Sequence, residues 1–438
     1  MDCSSKGEKL GFDTLKVRGG YDSAANGHSA QVPIYQTAAF DLVSCDRVER
    51  IYAQEEKGFT YSRTANPTVA ALEGRIAALD GATGAVALAT GMAAVTAALL
   101  TAVDSGGRVL TAVGLYGGSF ELLARQMPRF GIGVDFAGDP GDPGSFAAAL
   151  RPETRAIYVE SVSNPNAIVA DIEGLAALAH ANGIPLIVDN TVPTPALLRP
   201  FDFGADIIVY SATKALSGHG DALAGLVLER SGFDWKNGKF PSFSKPDHCL
   251  RDRCGVKKSY AEAFPAFPFT ARIRIEHLGI FGATLGPFDA YLVLLGIETL
   301  SERLAKQVAN AQKLVRYLEG HERVEWVHHP SAKLSPSAAL AAKYLPRGSG
   351  GLFSFGLKGG EAEARKLLDS VEVFSYQANV GDARSLIVNC PRVTHAELDD
   401  EELRLANIGP ESIRVSVGLE DPEDLIADLD QAIAKAFA

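Results

Sequence analysis

The chain has 438 residues and a net charge of -11, with 47% hydrophobic and 22% charged residues. This composition predicts a folded protein large enough for two or three compact units, each with a buried core. The acidic balance, without any basic run, argues against nucleic acid or an anionic membrane surface as a partner. The five scattered cysteines fit a reducing cytoplasm better than a disulfide framework.

The N-terminal residues 1–20 carry charges throughout and lack the apolar segment of a secretory signal, so we expect a cytoplasmic protein. Residues 85–103 contain no charge and approach the length of a membrane span. Thr90-Gly91 interrupts this stretch, and turn-forming residues flank it. The pattern therefore predicts a buried strand, a glycine turn and a buried helix, and no membrane partner.

Five short apolar runs, each followed by a helical pattern, occupy the middle of the chain and begin at residues 85, 108, 155, 185 and 206. This alternation predicts an α/β domain with a parallel sheet covered on both faces. Ligands of such sheets gather at the carboxyl ends of the strands. Those ends carry Thr90-Gly91, Glu160, Asp189 and residues 211–214.

A different pattern begins near residue 296 with a long amphipathic helix, which is an element suited to joining two domains. Strand and helix patterns are then mixed, at residues 351–357, 361–370, 412–418 and 421–437. They predict a smaller α+β domain. Residues 231–272 are rich in aromatic residues, glycine and proline without periodicity, which predicts a long loop insertion.

Lys214 follows the apolar run that begins at residue 206. A lysine desolvated in a pocket has a lowered pKa and can form a Schiff base. Asp189 ends the run that begins at residue 185, where a carboxylate can pair with a protonated pyridine nitrogen. A surface lysine and a capping aspartate are the commoner roles of such residues in isolation.

A phosphate site is predicted at Thr90-Gly91-Met92, which opens a helix directly after a strand. Backbone N–H groups at a helix start bind phosphate, and Gly91 permits a close approach. The hydroxyl groups of Ser211 and Thr213 would donate to the same phosphate. A phosphate, a pyridine nitrogen and an aldehyde carbon are together the requirements of pyridoxal phosphate (PLP), the expected cofactor.

Seven motifs resemble, in order, those of the Cys/Met-metabolism PLP enzymes of aspartate-aminotransferase fold type: YSRTANPTV at 61, ATGMAA at 89, YGGS at 116, ESVSNPN at 160, DNTVPTP at 189, SATKALSGHG at 211 and IRVSVGLED at 413. The insertion after Ser231 and the segments from 286 and 379 resemble most the O-acetylhomoserine sulfhydrylase branch. The resemblance implies PLP fold type I, with a large parallel-sheet domain (61–295), a smaller C-terminal domain (296–438) and an N-terminal arm (1–60) that contributes to the neighbouring subunit.

The resemblance implies roles for residues at the cofactor. Tyr116 would stack on the pyridoxal ring and shuttle protons, acting with Lys214 as a catalytic group. Tyr61, also expected to be catalytic, and Arg63 would reach the phosphate of a neighbouring subunit. The implied assembly is therefore a homotetramer, a dimer of dimers with shared active sites.

Arg414 would bind the α-carboxylate of the amino-acid substrate in a fork, helped by Asn164 and Ser385. The implied reaction replaces the γ-substituent of an O-acylated homoserine, with acetyl the expected acyl group, by sulfide or another nucleophile. Lys214 would remove the α-proton.

Other readings share the cofactor residues. Cystathionine γ-synthase lacks the long insertion, and methionine γ-lyases usually carry cysteine where this chain has Gly118. A binding protein without enzymatic activity is disfavoured by the intact set of Lys214, Asp189 and Arg414. No metal is expected, because Cys249 and Cys254 with His248 make only half of a zinc site.

The chain departs from the sulfhydrylase branch at residues 389–395, where it has NCPRVTH and the branch usually has His-Pro-Ala-Ser-Thr-Thr-His. Arg392 replaces a small hydroxyl residue beside the expected substrate pocket. Facing that pocket, it would favour a carboxylated thiol or a carbon acid as the nucleophile. Facing solvent, it would leave ordinary sulfhydrylase activity. Cys390 is expected to be an ordinary buried cysteine.

Overall fold

A computed structural model of the protein describes residues 10–438, so part of the predicted N-terminal arm (1–60) lies outside the described residues. Twelve strands form two sheets in the described range. They are β1 (Gly84–Leu88), β2 (Arg108–Ala112), β3 (Gly133–Ala137), β4 (Thr154–Glu160), β5 (Leu186–Asp189), β6 (Ile207–Ser211), β7 (Gly225–Glu229), β8 (Val324–His328), β9 (Leu352–Leu357), β10 (Ser375–Tyr376), β11 (Leu386–Asn389) and β12 (Ile413–Ser416).

The same range contains seventeen α-helices. They are α1 (Phe12–Arg18), α2 (Cys45–Tyr52), α3 (Pro67–Asp80), α4 (Gly91–Ala102), α5 (Gly117–Glu121), α6 (Pro143–Ala149), α7 (Ile172–Ala181), α8 (Thr194–Leu197), α9 (Pro241–Ser244), α10 (Tyr260–Ala263), α11 (Pro268–Ile273), α12 (Pro287–Glu298), α13 (Leu300–Gly320), α14 (Ala338–Tyr344), α15 (Glu361–Leu368), α16 (Asp400–Leu405) and α17 (Pro422–Ala436).

The larger sheet has seven strands in the order β1-β7-β6-β5-β4-β2-β3. Its strands pair in parallel except β7, which is antiparallel to both neighbours. All five apolar runs are strands of this sheet, because fully buried strands need uninterrupted apolar side chains. The carboxyl ends of β4, β5 and β6 lie side by side, which brings the residues that follow them together.

The smaller sheet has five strands in the order β10-β11-β12-β9-β8 and packs on α13, α15 and α17 over a separate apolar core. The α/β class with a second, smaller C-terminal domain is therefore confirmed. The uncharged stretch 85–103 consists of β1 and α4, as predicted. Among residues 10–438 no helix combines the length and apolar character needed to span a membrane.

The helix predicted from residue 296 is two helices, because α12 ends and α13 begins on either side of Thr299. Leu300, Leu304 and Val308 of α13 belong to the larger core. Farther along the same helix, Leu314 and Leu318 belong to the smaller core. The first part of α13 therefore packs in the core of the larger domain and its last part in the core of the smaller domain.

The segment 231–272 is not a plain loop, which corrects the expectation from its composition. It contains α9 and α10 and leads into α11. Trp235 stacks on Phe243 and Phe269, with ring centroids 4.3 and 5.1 Å apart. Buried aromatic rings supply a large apolar area from few residues, so this segment needs no helical or strand periodicity to pack.

Candidate active site

A cavity of about 270 Å³ lies beyond the carboxyl ends of β4, β5 and β6, against the smaller domain. Most of the predicted site residues line it: Gly91, Met92, Tyr116, Asn164, Asp189, Ser211, Thr213, Lys214 and Arg414. The strand-end rule therefore located the cavity correctly.

Lys214 lies in the turn after β6, largely buried at the cavity wall. Its Nζ donates a hydrogen bond to Asn379 Oδ1 at 2.7 Å. Burial, assisted by the positive charge of Arg414, lowers the pKa of Lys214 to about 8. The amine therefore reaches its neutral, nucleophilic form near physiological pH.

Asp189 ends β5 with its carboxylate buried in the cavity wall. Thr191 N–H donates to Oδ1 at 3.0 Å, and the Tyr158 hydroxyl donates to Oδ2 at 3.4 Å. Burial raises the pKa of Asp189, and no basic side chain of residues 10–438 forms an ion pair with it. A buried carboxylate without a cation fits a group that brings its own positive charge, such as a pyridinium nitrogen.

The predicted phosphate site is the N-terminus of α4. Thr90 caps this helix, because its hydroxyl accepts a hydrogen bond from Ala93 N–H at 3.0 Å. A side chain at Gly91 would place a Cβ only 2.5 Å from Ser211 Cβ, so the packing requires glycine here. The Thr213 hydroxyl accepts from Ala224 N–H at 2.9 Å, which orients it at the cavity. Free N–H groups beside two hydroxyls fit a phosphate.

Arg414 lies on β12 and is buried, with 3% of its surface exposed. Its Nη1 donates to Asn164 Oδ1 at 3.3 Å and its Nη2 to the Asn379 carbonyl at 2.9 Å. The Nε has no partner, and no acidic residue in the described chain forms an ion pair with this guanidinium. A buried cation of this kind is ready to receive a carboxylate from a ligand.

Tyr116 presents its ring to the cavity while remaining partly exposed. Burial raises the pKa of its hydroxyl, and the charge of Glu397 acts in the same direction. Gly118 lies against this ring, since a Cβ there would come within 2.8 Å of the ring carbon Cε1. A larger residue at position 118 would therefore displace Tyr116.

Glu160 is a cavity residue to which the sequence assigned no role. Its carboxylate accepts hydrogen bonds from Tyr116 N–H at 2.7 Å and Asn164 N–H at 3.0 Å. Burial and the nearby Asp189 raise its pKa to about 8. Glu160 thus holds two site residues in place, a role that its position at the end of β4 could have suggested.

Asn379 is the second residue that sequence reasoning missed, although it begins one of the segments that resemble the sulfhydrylase branch. Its side chain accepts from Lys214 and its carbonyl accepts from Arg414. It therefore links the lysine of the larger domain to the arginine of the smaller one.

Two predicted substrate residues do not reach the cavity. The Ser385 hydroxyl donates to Glu420 at 2.7 Å and accepts from Gly418 N–H at 2.8 Å, so it holds a turn of the smaller domain. Arg392 forms a forked ion pair with Glu361 on the outer surface, with N–O distances of 3.0 and 3.1 Å. Of the two orientations left open by the sequence, Arg392 therefore has the outward one, and it does not act as the substrate-binding residue proposed for the inward one.

The reason lies in the backbone of residues Cys390–Thr394, which form a π-helical turn. This turn directs Val393 and Thr394 to the cavity and Arg392 to a separate surface depression. Cys390 is fully buried and burial raises the pKa of its thiol to about 12, so it is an inert core residue.

Tyr61 and Arg63 lie outside the cavity of their own subunit. The Arg63 guanidinium is 5.5 Å from the Tyr61 ring centroid and donates to the Gly279 carbonyl. Their expected role at a neighbouring phosphate remains a prediction. Among the three residues that could make half of a zinc site, His248 and Cys249 have ligand atoms within 4.8 Å of each other and of Asp247, whereas Cys254 is not part of this group.

A lysine of lowered pKa, a buried carboxylate without a cation and a helix N-terminus meet in one cavity between an α/β domain and a smaller domain. This arrangement defines the fold type I PLP enzymes as a class. A sequence model of the family described as "Cys/Met metabolism PLP-dependent enzyme" matches residues 13–434. The chain belongs to this family, and PLP is its cofactor.

Relatives cover nearly the whole chain. The O-acetyl-L-homoserine sulfhydrylase of Corynebacterium glutamicum is 40% identical, covering 98% of each chain. The homocysteine synthase of Schizosaccharomyces pombe is 39% identical, covering 97% of this chain and 98% of its own. A Campylobacter jejuni crystal structure of a protein described as an O-acetylhomoserine (thiol)-lyase, with N′-pyridoxyl-lysine-5′-monophosphate, matches 97% of this chain and 100% of its own at TM-score 0.92 and 36% identity.

Proposed function

We propose that the protein is an O-acetylhomoserine sulfhydrylase, which replaces the acetate of O-acetyl-L-homoserine with sulfide and so produces homocysteine. The observation that carries the proposal is the position of Arg414. This guanidinium, which has no ion pair in the described chain, lines the same cavity as Lys214 and contacts the same Asn379, so it can hold the carboxylate of an amino acid whose amino group meets the cofactor. The named relatives support the γ-substituted substrate.

Some residues of the site would bind the substrate, and another would transfer its proton. Arg414 and Asn164 would orient the α-carboxylate, which points the α-hydrogen at Lys214. Lys214 Nζ would take the α-proton, because its lowered pKa supplies a neutral amine. When bound at Asp189 and the N-terminus of α4, PLP supplies an electron sink for the charge left on the substrate.

Product analysis tests the proposal. The purified PLP-loaded protein is incubated with O-acetyl-L-homoserine with and without sulfide, and in parallel with L-methionine alone. We expect homocysteine and acetate in equal amounts only when sulfide is present. Release of methanethiol from methionine at a comparable rate would instead identify a γ-lyase.

We also propose a homotetramer of two dimers with shared active sites. Thr284 donates a hydrogen bond to the Arg63 carbonyl at 2.8 Å, so Arg63 adjoins the segment 280–288. This segment exposes Ile280, Phe281 and Phe288, whose exposed fractions are 65%, 70% and 55%. Exposed large apolar side chains in one segment favour a surface covered by another subunit.

The four described cysteines are free thiols, which suits the reducing cytoplasm.

A further inference from the structure

Five charged side chains line the active-site cavity, and four of them have a task in the proposed function. Lys214 and Asp189 serve the cofactor, Arg414 serves the substrate carboxylate and Glu160 accepts two backbone hydrogen bonds. The fifth is Glu397. It forms no hydrogen bond and no ion pair within the described chain.

Glu397 lies on the solvent side of the cavity. It is an exposed residue, three positions after Thr394, which also lines the cavity. Its charge acts on the hydroxyl of Tyr116, whose pKa it helps to raise. Glu397 is therefore close enough to influence groups inside the cavity while remaining in contact with water.

The charge balance changes once the amino-acid substrate is bound. The substrate carboxylate neutralises Arg414, and the cofactor occupies Lys214 and Asp189. Two acidic side chains then remain, Glu160 and Glu397. Glu160 is buried, has a raised pKa and already accepts two backbone hydrogen bonds, so the charge that an incoming second reactant meets is the exposed carboxylate of Glu397. Arg392, the positive group of the same loop, is turned outward and paired with Glu361.

We infer that Glu397 is a specificity-determining residue that excludes carboxylated thiols and admits sulfide and uncharged or cationic thiols. The inference rests on the proposed function and defines the class of its second substrate. In the exchange, the thiol sulfur bonds to the γ-carbon, acetate departs with the electron pair of the broken C–O bond, and the thiol proton balances the acetate charge. An additional carboxylate on the thiol would be repelled by Glu397 during this step.

The test compares kcat/KM for thioglycolate, 2-mercaptoethanol and cysteamine, which carry a negative, no and a positive charge, with sulfide as the reference. The PLP-loaded wild type, Glu397→Gln and the matched control Arg392→Ser are assayed with saturating O-acetyl-L-homoserine. In Glu397→Gln we expect the thioglycolate to 2-mercaptoethanol ratio to rise about 3- to 10-fold. The ratio of kcat/KM for cysteamine to that for 2-mercaptoethanol should fall in the same variant. The differences between Glu397→Gln and the wild type in both ratios should shrink at high salt. Arg392→Ser should leave the ratios unchanged.

Equilibrium binding provides a second readout that does not depend on turnover. The ligands are S-carboxymethyl-L-homocysteine and S-(2-hydroxyethyl)-L-homocysteine, the products of thioglycolate and 2-mercaptoethanol. Calorimetry should show Glu397→Gln binding the first more tightly relative to the second than the wild type does. Unchanged ratios in both experiments would overturn the inference while leaving the sulfhydrylase intact. Failure of every thiol to give a γ-substituted product would overturn the proposed function instead.

Discussion

Lys214 and Arg414 are the two cations of the active-site cavity, and neither forms an ion pair in the described chain. Removing a charge from water is unfavourable unless a partner compensates for it. Burial accordingly lowers the pKa of both groups. Their anionic or electrophilic partners are therefore expected among the ligands of the site.

Replacing Lys214 with alanine should abolish the visible absorbance of lysine-bound PLP and reduce turnover by about 10³-fold or more, because no other described amine lines the cavity. Absorbance spectra and steady-state rates measure both effects. Lys239→Ala is the control, since this lysine donates to the Asn182 carbonyl away from the cavity. Normal turnover in Lys214→Ala would contradict the assignment.

Replacing Arg414 with lysine should raise KM for O-acetyl-L-homoserine about 10- to 100-fold, because lysine keeps the charge but loses the fork that grips a carboxylate. The absorbance of bound PLP should remain, since Arg414 acts on the substrate. Initial rates over a range of substrate concentrations separate KM from kcat. An unchanged KM would remove Arg414 from the substrate site.

The end of α3 and strand β6 meet at a buried pair of polar side chains, Asp80 and Tyr210. Both carboxylate oxygens of Asp80 lie 3.0 Å from the Tyr210 hydroxyl of β6. Burial raises the pKa of Asp80 to about 8. The folded state therefore favours the protonated form, whereas the unfolded chain ionises near the ordinary pKa. Stability is lost as pH rises from about 4 to about 8.

Asp80→Asn should consequently gain stability over the wild type as pH rises through this window, by roughly 1 kcal/mol per pH unit. Asparagine mimics the protonated carboxyl group in shape and cannot ionise. Urea unfolding at pH 5, 6.5 and 8 measures the growing difference. A difference that stays constant with pH would mean that Asp80 is not the titrating group.

The turn that carries Lys214 is fixed by α13 through Arg303. This buried guanidinium donates to the carbonyls of Ala215 and Gly296 at 2.9 and 2.6 Å. Arg303→Met should therefore destabilise the protein by about 2–4 kcal/mol, because buried carbonyls would lose their donors. It should also weaken PLP retention, as measured by dialysis, whereas Arg303→Lys should restore part of it. Full PLP retention in Arg303→Met would show that the turn keeps its conformation without the hydrogen bonds of Arg303.

The sequence predicted correctly those strands whose burial requires an apolar composition. The runs that became β1, β2, β4, β5 and β6 are apolar because both faces of the sheet are covered. β7 was missed because it is a strand without a following helix, and its antiparallel position between β1 and β6 depends on distant contacts. The direction of Arg392 depended on the π-helical turn at residues 390–394, which local composition does not reveal.

At the scale of the whole molecule, shared active sites predict that two impaired variants complement each other. Lys214→Ala lacks the lysine, whereas Arg63→Ala should lose the contact to its neighbour's phosphate and retain PLP weakly. Random exchange of subunits would give hybrid dimers with one intact site, and so about a quarter of wild-type activity. Mass measurement in solution should give a tetramer. Sites contained within single subunits would show no recovery.

Lys214 of the active site belongs to the larger domain and Arg414 and Asn379 to the smaller one, while α13 contributes residues to the apolar cores of both. A ligand that touches all three residues is in effect a removable crosslink between two folding units. Unfolding of either unit releases it, so its binding energy adds to the stability of both. Saturating substrate analogue should therefore raise the melting temperatures of both units together, so that occupancy of the site determines how cooperatively the molecule unfolds.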